Sequence, residues 1–151
     1  MSHEVKLSRR QARENAFLAA FSLTFHPEEQ AQALESLTED GDVALDAFAR
    51  QLLSDVTTHR QELDALIEAH LKGWTLARIP RPSIVAMRIA LAEMLYGEER
   101  KPGVAINEAV ELIKKYGAEG DHQFVNGLLG TVAREQQSAE TNTAENSGTP
   151  C

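Results

Sequence analysis

Apolar residues recur at helical spacing along most of this chain, and the pattern is clearest between residues 104 and 132. Intervals of i, i+3, i+4 and i+7 place one apolar stripe along a helix. In the first part of this segment the stripe consists of Ile106, Ala109, Val110, Ile113 and Tyr116. Gly117 follows, where a left-handed glycine would end a helix, and Lys114 and Lys115 suit the negative end of the helix dipole. The pattern therefore predicts a helix that ends at Tyr116.

A second helix is predicted directly after this one. Asp121 is a suitable N-cap. The apolar stripe that follows it consists of Val125, Leu128, Leu129 and Val132. Because the link between the two helices is so short, they meet at a tight corner. This corner combines cations, polar groups and aromatic rings: Lys114, Lys115, Tyr116, His122, Gln123 and Phe124. An ordinary helical hairpin with solvated lysines is the alternative interpretation.

Helical periodicity extends to the rest of the chain. Ser8 is a suitable N-cap for a helix that runs to Phe25. Further helices are predicted from Pro27 to Leu37, from Val43 to Val56, after Thr58 as far as Leu71, and from Ser83 to Leu95. The last of these is apolar almost all round, which is typical of a central helix. Arg88 lies within it, so we expect Arg88 to find a carboxylate or carbonyl partner.

These elements predict an all-α fold of about seven helices in two packed bundles. A connector from Gly73 to Pro82 divides the chain, and Trp74 within it is interpreted as a packing anchor. We expect one all-α domain over residues 1–134, with helical halves at about 8–72 and 83–134. Residues 135–151 lack large apolar side chains and are expected to form a disordered tail.

Composition narrows the class of protein. The chain has 151 residues, of which 42% are hydrophobic, and this suits one soluble globular domain. No apolar run is long enough for a membrane span, and the N-terminus lacks the apolar segment of a signal peptide, so a cytoplasmic protein with no membrane contact is expected. The single cysteine, Cys151, allows neither an internal disulfide nor a zinc site.

Common catalytic motifs are missing from the sequence. It contains no phosphate-binding GxxxxGK[ST], no strand-borne GxGxxG, no HExxH and no GxSxG. None of the five histidines has a partner at ligand-like spacing. We therefore expect neither an enzyme nor a bound cofactor or metal.

Charge is distributed unevenly. The net charge is −8, but residues 28–68 hold eleven acids against two arginines, a net −9 that leaves +1 for the remainder. The segment 5–13 contains no acid and carries Lys6, Arg9, Arg10 and Arg13. Arginines at a helix N-terminus are unfavourable to the macrodipole by a few tenths of a kcal/mol, so helix propensity does not explain them. Phosphate binding would explain them, and a solvated helix end is the alternative.

Three segments resemble the NusB family of bacterial transcription antitermination factors. They are the run VAINEAVELIKKYGAEGDHQFVNG that begins at Val104, the N-terminal SRRQARENAFLAAF, and MRIALAEML from Met87 to Leu95. Together they cover most of residues 8–133. The resemblance implies an all-α fold and a protein that binds boxA-type single-stranded RNA of ribosomal-operon transcripts. It also implies a small-subunit ribosomal protein, NusE, as partner, within a complex that lets RNA polymerase read through terminators.

The resemblance implies site residues too. Carried over by position, RNA contacts fall to Arg9, Arg10, Arg13, Tyr116, His122, Gln123 and Phe124. Phe21 matches an aromatic position of the partner surface, and Ser83 stands in that surface where an acidic residue is common. Gly120 departs from the family, which commonly has an acidic residue there.

Two other classes of protein stay open at this point. One is a helical protein-interaction module, or a homodimer that buries the arginines of the first helix. The other is a fragment of an RNA cytosine methyltransferase, since a related helical domain forms the N-terminal part of such enzymes. Those enzymes carry a large α/β catalytic domain, for which 151 residues leave no room.

Overall fold

The computed structural model describes residues 6–23 and 43–147, and within those ranges all regular structure is helical. Six α-helices follow one another: α1 Arg9–Leu23, α2 Ala47–Thr58, α3 Arg60–Ala69, α4 Arg81–Tyr96, α5 Pro102–Tyr116 and α6 Asp121–Ser147. A single 3-10 turn, Leu76–Arg78, precedes α4. The predicted all-α fold is confirmed. The helix predicted from Pro27 to Leu37, and the predicted end of α1 at Phe25, lie outside the described residues.

Helix α4 occupies the centre of the molecule. Most of its residues are buried, and it packs against each of the other five helices. Helices α1 and α3 pack against α2, whereas α5 and α6 pack against each other, so α4 joins the two groups. A single cluster of buried side chains runs through both. Helix α4 is therefore buried on all sides, as its continuous apolar pattern predicts.

Polar side chains fix several helix ends. The Ser8 Oγ accepts a 3.1 Å hydrogen bond from the Gln11 N–H, which confirms Ser8 as a cap. The Asp46 Oδ1 accepts from the Ala49 N–H at 2.8 Å, so α2 begins at Ala47 rather than at the predicted Val43. Val43 is nevertheless buried. The expected partner of Arg88 is Asp64, whose two carboxylate oxygens lie 2.7 and 2.9 Å from the guanidinium.

The corner between α5 and α6 differs from its prediction in one respect. Gly117 has φ −94° and ψ 179°, which is extended backbone, so the left-handed conformation predicted for it is wrong. A Cβ at this position would lie 2.7 Å from the Ile113 Cγ2 and 2.8 Å from the Ile113 carbonyl oxygen. Close approach to Ile113 is therefore what requires glycine. The left-handed residue of the corner is Gly120, at φ 90°.

Two further expectations are corrected. Trp74 is 60% exposed and is not a packing anchor. Helix α6 continues through Ser147, so the disordered tail predicted from residue 135 is wrong as far as residue 147. No proline or glycine interrupts residues 135–147, and alanine, glutamate and glutamine there favour helix. No helix among the described residues is both long and apolar enough to cross a membrane.

Candidate nucleic-acid interface

Helices α1 and α5 lie side by side and run in the same direction. Arg10 of α1 faces Glu108 of α5, and one turn further along Glu14 faces Lys115. The Phe17 and Tyr116 rings follow, with centroids 5.3 Å apart. The arginine-rich start of the chain is thereby placed beside the last turns of α5, which lead to the corner.

A cleft of about 400 Å³ opens between these two helices. Its lining is almost entirely charged: Arg10, Arg13, Glu14, Glu108, Glu111, Leu112, Lys114 and Lys115. Two groups of cations that are about a hundred residues apart in the sequence thus share one concave surface. Oppositely charged side chains stand among them, so the surface is a mixed ionic network rather than a purely basic patch.

Arg9 and Arg10 are both exposed at the start of α1. The Arg10 Nε and Nη2 each donate a 3.2 Å hydrogen bond to a different oxygen of Glu108. The Arg10 side chain nevertheless stays 68% exposed. The Arg9 guanidinium lies 4.1 Å above the centre of the Phe48 ring of α2, a cation–π contact that orients it. Both arginines can reach a phosphate from these positions.

Arg13 does not share this exposure. It is buried, and its Nε and Nη2 lie 2.7 and 2.9 Å from the two carboxylate oxygens of Glu93, which is also buried. The prediction that Arg13 contacts RNA is therefore corrected, because its guanidinium is already paired inside the fold. Arg9 and Arg13 are four residues apart and share a helix face, and both guanidinium groups lie over the Phe48 ring, at 4.1 and 5.4 Å from its centre. Position along the helix separates them, because Arg9 opens α1 and Arg13 lies one turn further in.

One carboxylate oxygen organises the end of the cleft nearest the corner. The Tyr116 hydroxyl and the Lys115 ammonium both donate to the Glu14 Oε1, each at 2.6 Å. The hydrogen bonds from Lys115 and Tyr116 hold the pKa of Glu14 below its usual value, and the bond to Glu14 raises the pKa of Tyr116. Glu14 is therefore ionised and Tyr116 protonated at neutral pH, with the Tyr116 ring partly open to solvent.

The first turn of α6 carries the remaining predicted RNA residues. Asp121 is the first residue of α6, and its Oδ2 accepts from the Ala118 N–H at 2.9 Å, so it braces the link as well as starting the helix. His122 is half-buried, Gln123 is exposed, and the Phe124 side chain is 39% exposed. Tyr116 and Phe124 thus present two partly open rings on either side of the four-residue link.

The two predicted partner residues have different environments. Phe21 is half-buried, and its ring stacks against Phe17 with centroids 6.3 Å apart. Ser83 has no exposed surface, so its prediction as a direct partner contact is wrong. It lies in the first turn of α4, where that helix is already enclosed by the core.

Sequence reasoning missed the acids of the cleft, Glu14, Glu108 and Glu111. The one available signal was the i, i+4 spacing of Arg10 and Glu14, which favours a pair within α1. In the structure both residues pair across to α5 instead.

A sequence model described as the NusB family matches residues 10–134. The chain belongs to the NusB family. The transcription antitermination protein NusB of Geobacillus kaustophilus is 38% identical over 126 residues, covering 83% of this chain and 95% of that protein. Its counterpart from Heliobacterium modesticaldum is 39% identical over 135 residues, covering 88% of this chain but only 66% of the other.

Solved structures from the NusB family share the fold. The chain superimposes on T. maritima NusB with a TM-score of 0.77 at 31% identity, covering 87% of this chain and 94% of that one. A structure of the antitermination factors NusB and NusE in complex with dsRNA gives a TM-score of 0.74 at 27% identity, covering 84% and 96%.

Proposed function

We propose that this protein is a transcription antitermination factor. It binds boxA-type single-stranded RNA of nascent ribosomal-operon transcripts together with the small-subunit ribosomal protein NusE. The pair then acts in a complex that lets RNA polymerase read through terminators. Binding, rather than catalysis, is its task. The relatives named as NusB antitermination proteins support the role, and the solved structure of NusB and NusE in complex with dsRNA supports NusE and RNA as the two classes of partner.

The main structural support for this proposal is that α1 and α5, which are distant in sequence, line the same cleft. Arg10 from α1 and Lys114 and Lys115 from α5 line the same concavity. Cations on one surface can neutralise neighbouring phosphates of a strand, and each such contact adds to the affinity. Arg9 adds a fourth cation at the open end of α1.

Aromatic rings beside the cations favour unpaired bases. Tyr116 and Phe124 are partly exposed at the corner, and flat rings stack on bases that are not held in a duplex. His122 and Gln123 lie between them in sequence and supply polar groups for base edges. In this proposal the cations of the cleft bind the backbone and the corner binds the bases.

Phe21 remains the candidate contact for NusE. It lies two turns after Glu14 on α1, beyond the aromatic end of the cleft, so a protein bound there would adjoin bound RNA. A basic ribosomal protein would also complement the net charge of −8. This placement supports joint binding, in which the two ligands share a border.

Fluorescence anisotropy with labelled RNA tests the proposal. We expect boxA-type single-stranded RNA to bind more tightly than a scrambled strand or a duplex of the same sequence. Arg10→Ala should weaken binding and flatten the dependence of log K on log salt by up to about 0.7, the most that one phosphate contributes on a single strand. Arg78→Ala, which removes an exposed arginine on the connector, is the matched control and should leave both unchanged. Equal binding of the boxA-type and scrambled strands would contradict the proposal.

A further inference from the structure

Two cations of the cleft, Arg10 and Lys115, are paired with carboxylates that lie deeper than they do. The Arg10 side chain is 68% exposed and that of its partner Glu108 only 14%. The Lys115 side chain is 59% exposed and that of Glu14 only 18%. Glu108 and Glu14 therefore lie on the floor of the cleft, and Arg10 and Lys115 lie on its rim.

This arrangement means that the cations are already neutralised before any RNA arrives. Lys114 is also paired, with its Nζ 3.5 Å from the Glu111 Oε1. Lys115 directs one ammonium hydrogen to Glu14, and Arg10 directs two of its N–H groups to Glu108. A phosphate that approaches either cation meets a fixed negative charge directly behind it.

We propose that Glu14 and Glu108 act as internal counter-anions that oppose the binding of RNA phosphates in the cleft. RNA binding is then an exchange, in which a phosphate replaces the carboxylate as the partner of Arg10 or Lys115. Because every RNA meets the same two carboxylates, affinity falls for all of them. At a given concentration, only RNAs that add base stacking or partner contacts stay bound. This inference rests on the proposed function and concerns the regulation of the same site.

The competing interpretation is that the two acids position the cations and so assist binding. Glutamine separates these interpretations, because its carbonyl oxygen can still accept hydrogen bonds from Lys115, Tyr116 or Arg10 while the negative charge is gone. If the acids only position, glutamine leaves the affinity unchanged or lowers it. If they oppose phosphate, glutamine raises it.

The size of the effect follows from Coulomb attraction and repulsion near a surface. Two unit charges about 4 Å apart in a highly solvated site interact by an amount that corresponds to about a fivefold change in affinity. We therefore expect Glu14→Gln and Glu108→Gln each to raise the affinity for RNA about fivefold near 0.1 M salt. Each should also steepen the salt dependence by up to about 0.7, since a cation freed from its carboxylate binds a phosphate at full charge.

Glu62→Gln is the matched control. Glu62 accepts a 2.6 Å hydrogen bond from Tyr96, as Glu14 does from Tyr116, but it belongs to α3 and does not line the cleft. It changes the net charge of the protein by the same amount. If Glu62→Gln raises the affinity as much as Glu14→Gln does, overall charge is responsible and the inference is overturned.

The experiment measures anisotropy of boxA-type RNA and of an oligouridylate with the wild type and the three variants, after circular dichroism melting has confirmed the fold of each. Tighter binding of both RNAs by Glu14→Gln and Glu108→Gln alone supports the inference. Unchanged or weaker binding by those two variants, with wild-type protein binding normally, overturns the inference and leaves the proposed function standing. Failure of the wild type to bind boxA-type RNA overturns the proposed function and the inference with it.

Discussion

Arg13 and Glu93 form a buried ion pair that ties helix α1 to the central helix α4. The guanidinium meets the carboxylate with two hydrogen bonds of 2.7 and 2.9 Å, and both residues are excluded from solvent. Arg10, three residues earlier, makes a similar pair with Glu108 at the surface. Two arginines of one short motif therefore have different tasks, one in holding the fold and one in the cleft.

Arg13→Ala should accordingly destabilise the protein far more than Arg10→Ala does. Removing one partner leaves Glu93 buried and unpaired, which costs about 3–5 kcal/mol. Arg10→Ala breaks an exposed pair and should cost about 1 kcal/mol or less. Urea unfolding of both variants measures the difference. If Arg13→Ala unfolds at the same urea concentration as the wild type but no longer binds RNA, Arg13 belongs to the RNA site.

For Phe124 we expect a loss of RNA binding without a loss of stability. Because its ring is partly exposed, Phe124→Ala should leave the melting temperature nearly unchanged while weakening RNA binding by about 1–3 kcal/mol, the usual value of one stacked base. Phe124→Tyr should keep most of the affinity, since any flat ring can stack, and Phe124→Leu should not. Phe17→Ala is the control for a core ring and should cost about 3–5 kcal/mol of stability. A large stability loss for Phe124→Ala with intact RNA affinity would make it a packing residue.

His70 links α3 to α6 and predicts a dependence of stability on pH. Its Nδ1 lies 2.8 Å from the Leu66 carbonyl oxygen and its Nε2 lies 2.7 Å from the Glu135 carboxylate. The Leu66 carbonyl, and secondarily Glu135, raise the pKa of His70 above 6.5. A raised pKa means that the stabilisation is complete below pH 6.5 and is lost as the pH rises through the folded-state pKa.

Wild-type protein should therefore exceed His70→Gln in unfolding free energy by more at about pH 5.5 than at about pH 8.5. Glu135→Gln should remove only part of this pH dependence, because the Leu66 carbonyl remains. Urea titrations at the two pH values provide the measurement. An equal gap at both would mean that the protonation of His70 does not contribute.

Three glycines should respond differently to alanine, because their surroundings differ. Gly117→Ala forces a Cβ against Ile113 and should cost about 1–3 kcal/mol. Gly120→Ala places a side chain at φ 90° in open space and should cost about 1–2 kcal/mol from backbone strain. Gly103→Ala, in the first turn of α5 with no atom within 4 Å, should be neutral or stabilising by up to about 1 kcal/mol. Thermal melting of the three variants checks this order, and a Gly117→Ala variant as stable as the wild type would contradict it.

The helices were predictable because each buries one face, and the apolar residues of that face recur at helical spacing within the segment itself. The central position of α4 followed in the same way from its all-round apolar composition. The roles of Arg13 and Ser83 were not predictable, since what decides them is a partner 80 residues away in one case and enclosure by other helices in the other. Glu14 was overlooked for the same reason, because the Lys115 and Tyr116 that it holds are distant in sequence.

The most direct test of the account measures reciprocal coupling between RNA and NusE on this protein. If the two ligands adjoin at the aromatic end of the cleft, NusE should raise the affinity for boxA-type RNA, and the same RNA should raise the affinity for NusE by an equal factor, typically about 5- to 150-fold. Both halves of the cycle are accessible by anisotropy with labelled RNA and by calorimetry with NusE. Joint binding on adjoining surfaces predicts equal factors, both greater than one. Affinity for NusE that is the same with and without boxA-type RNA would contradict it.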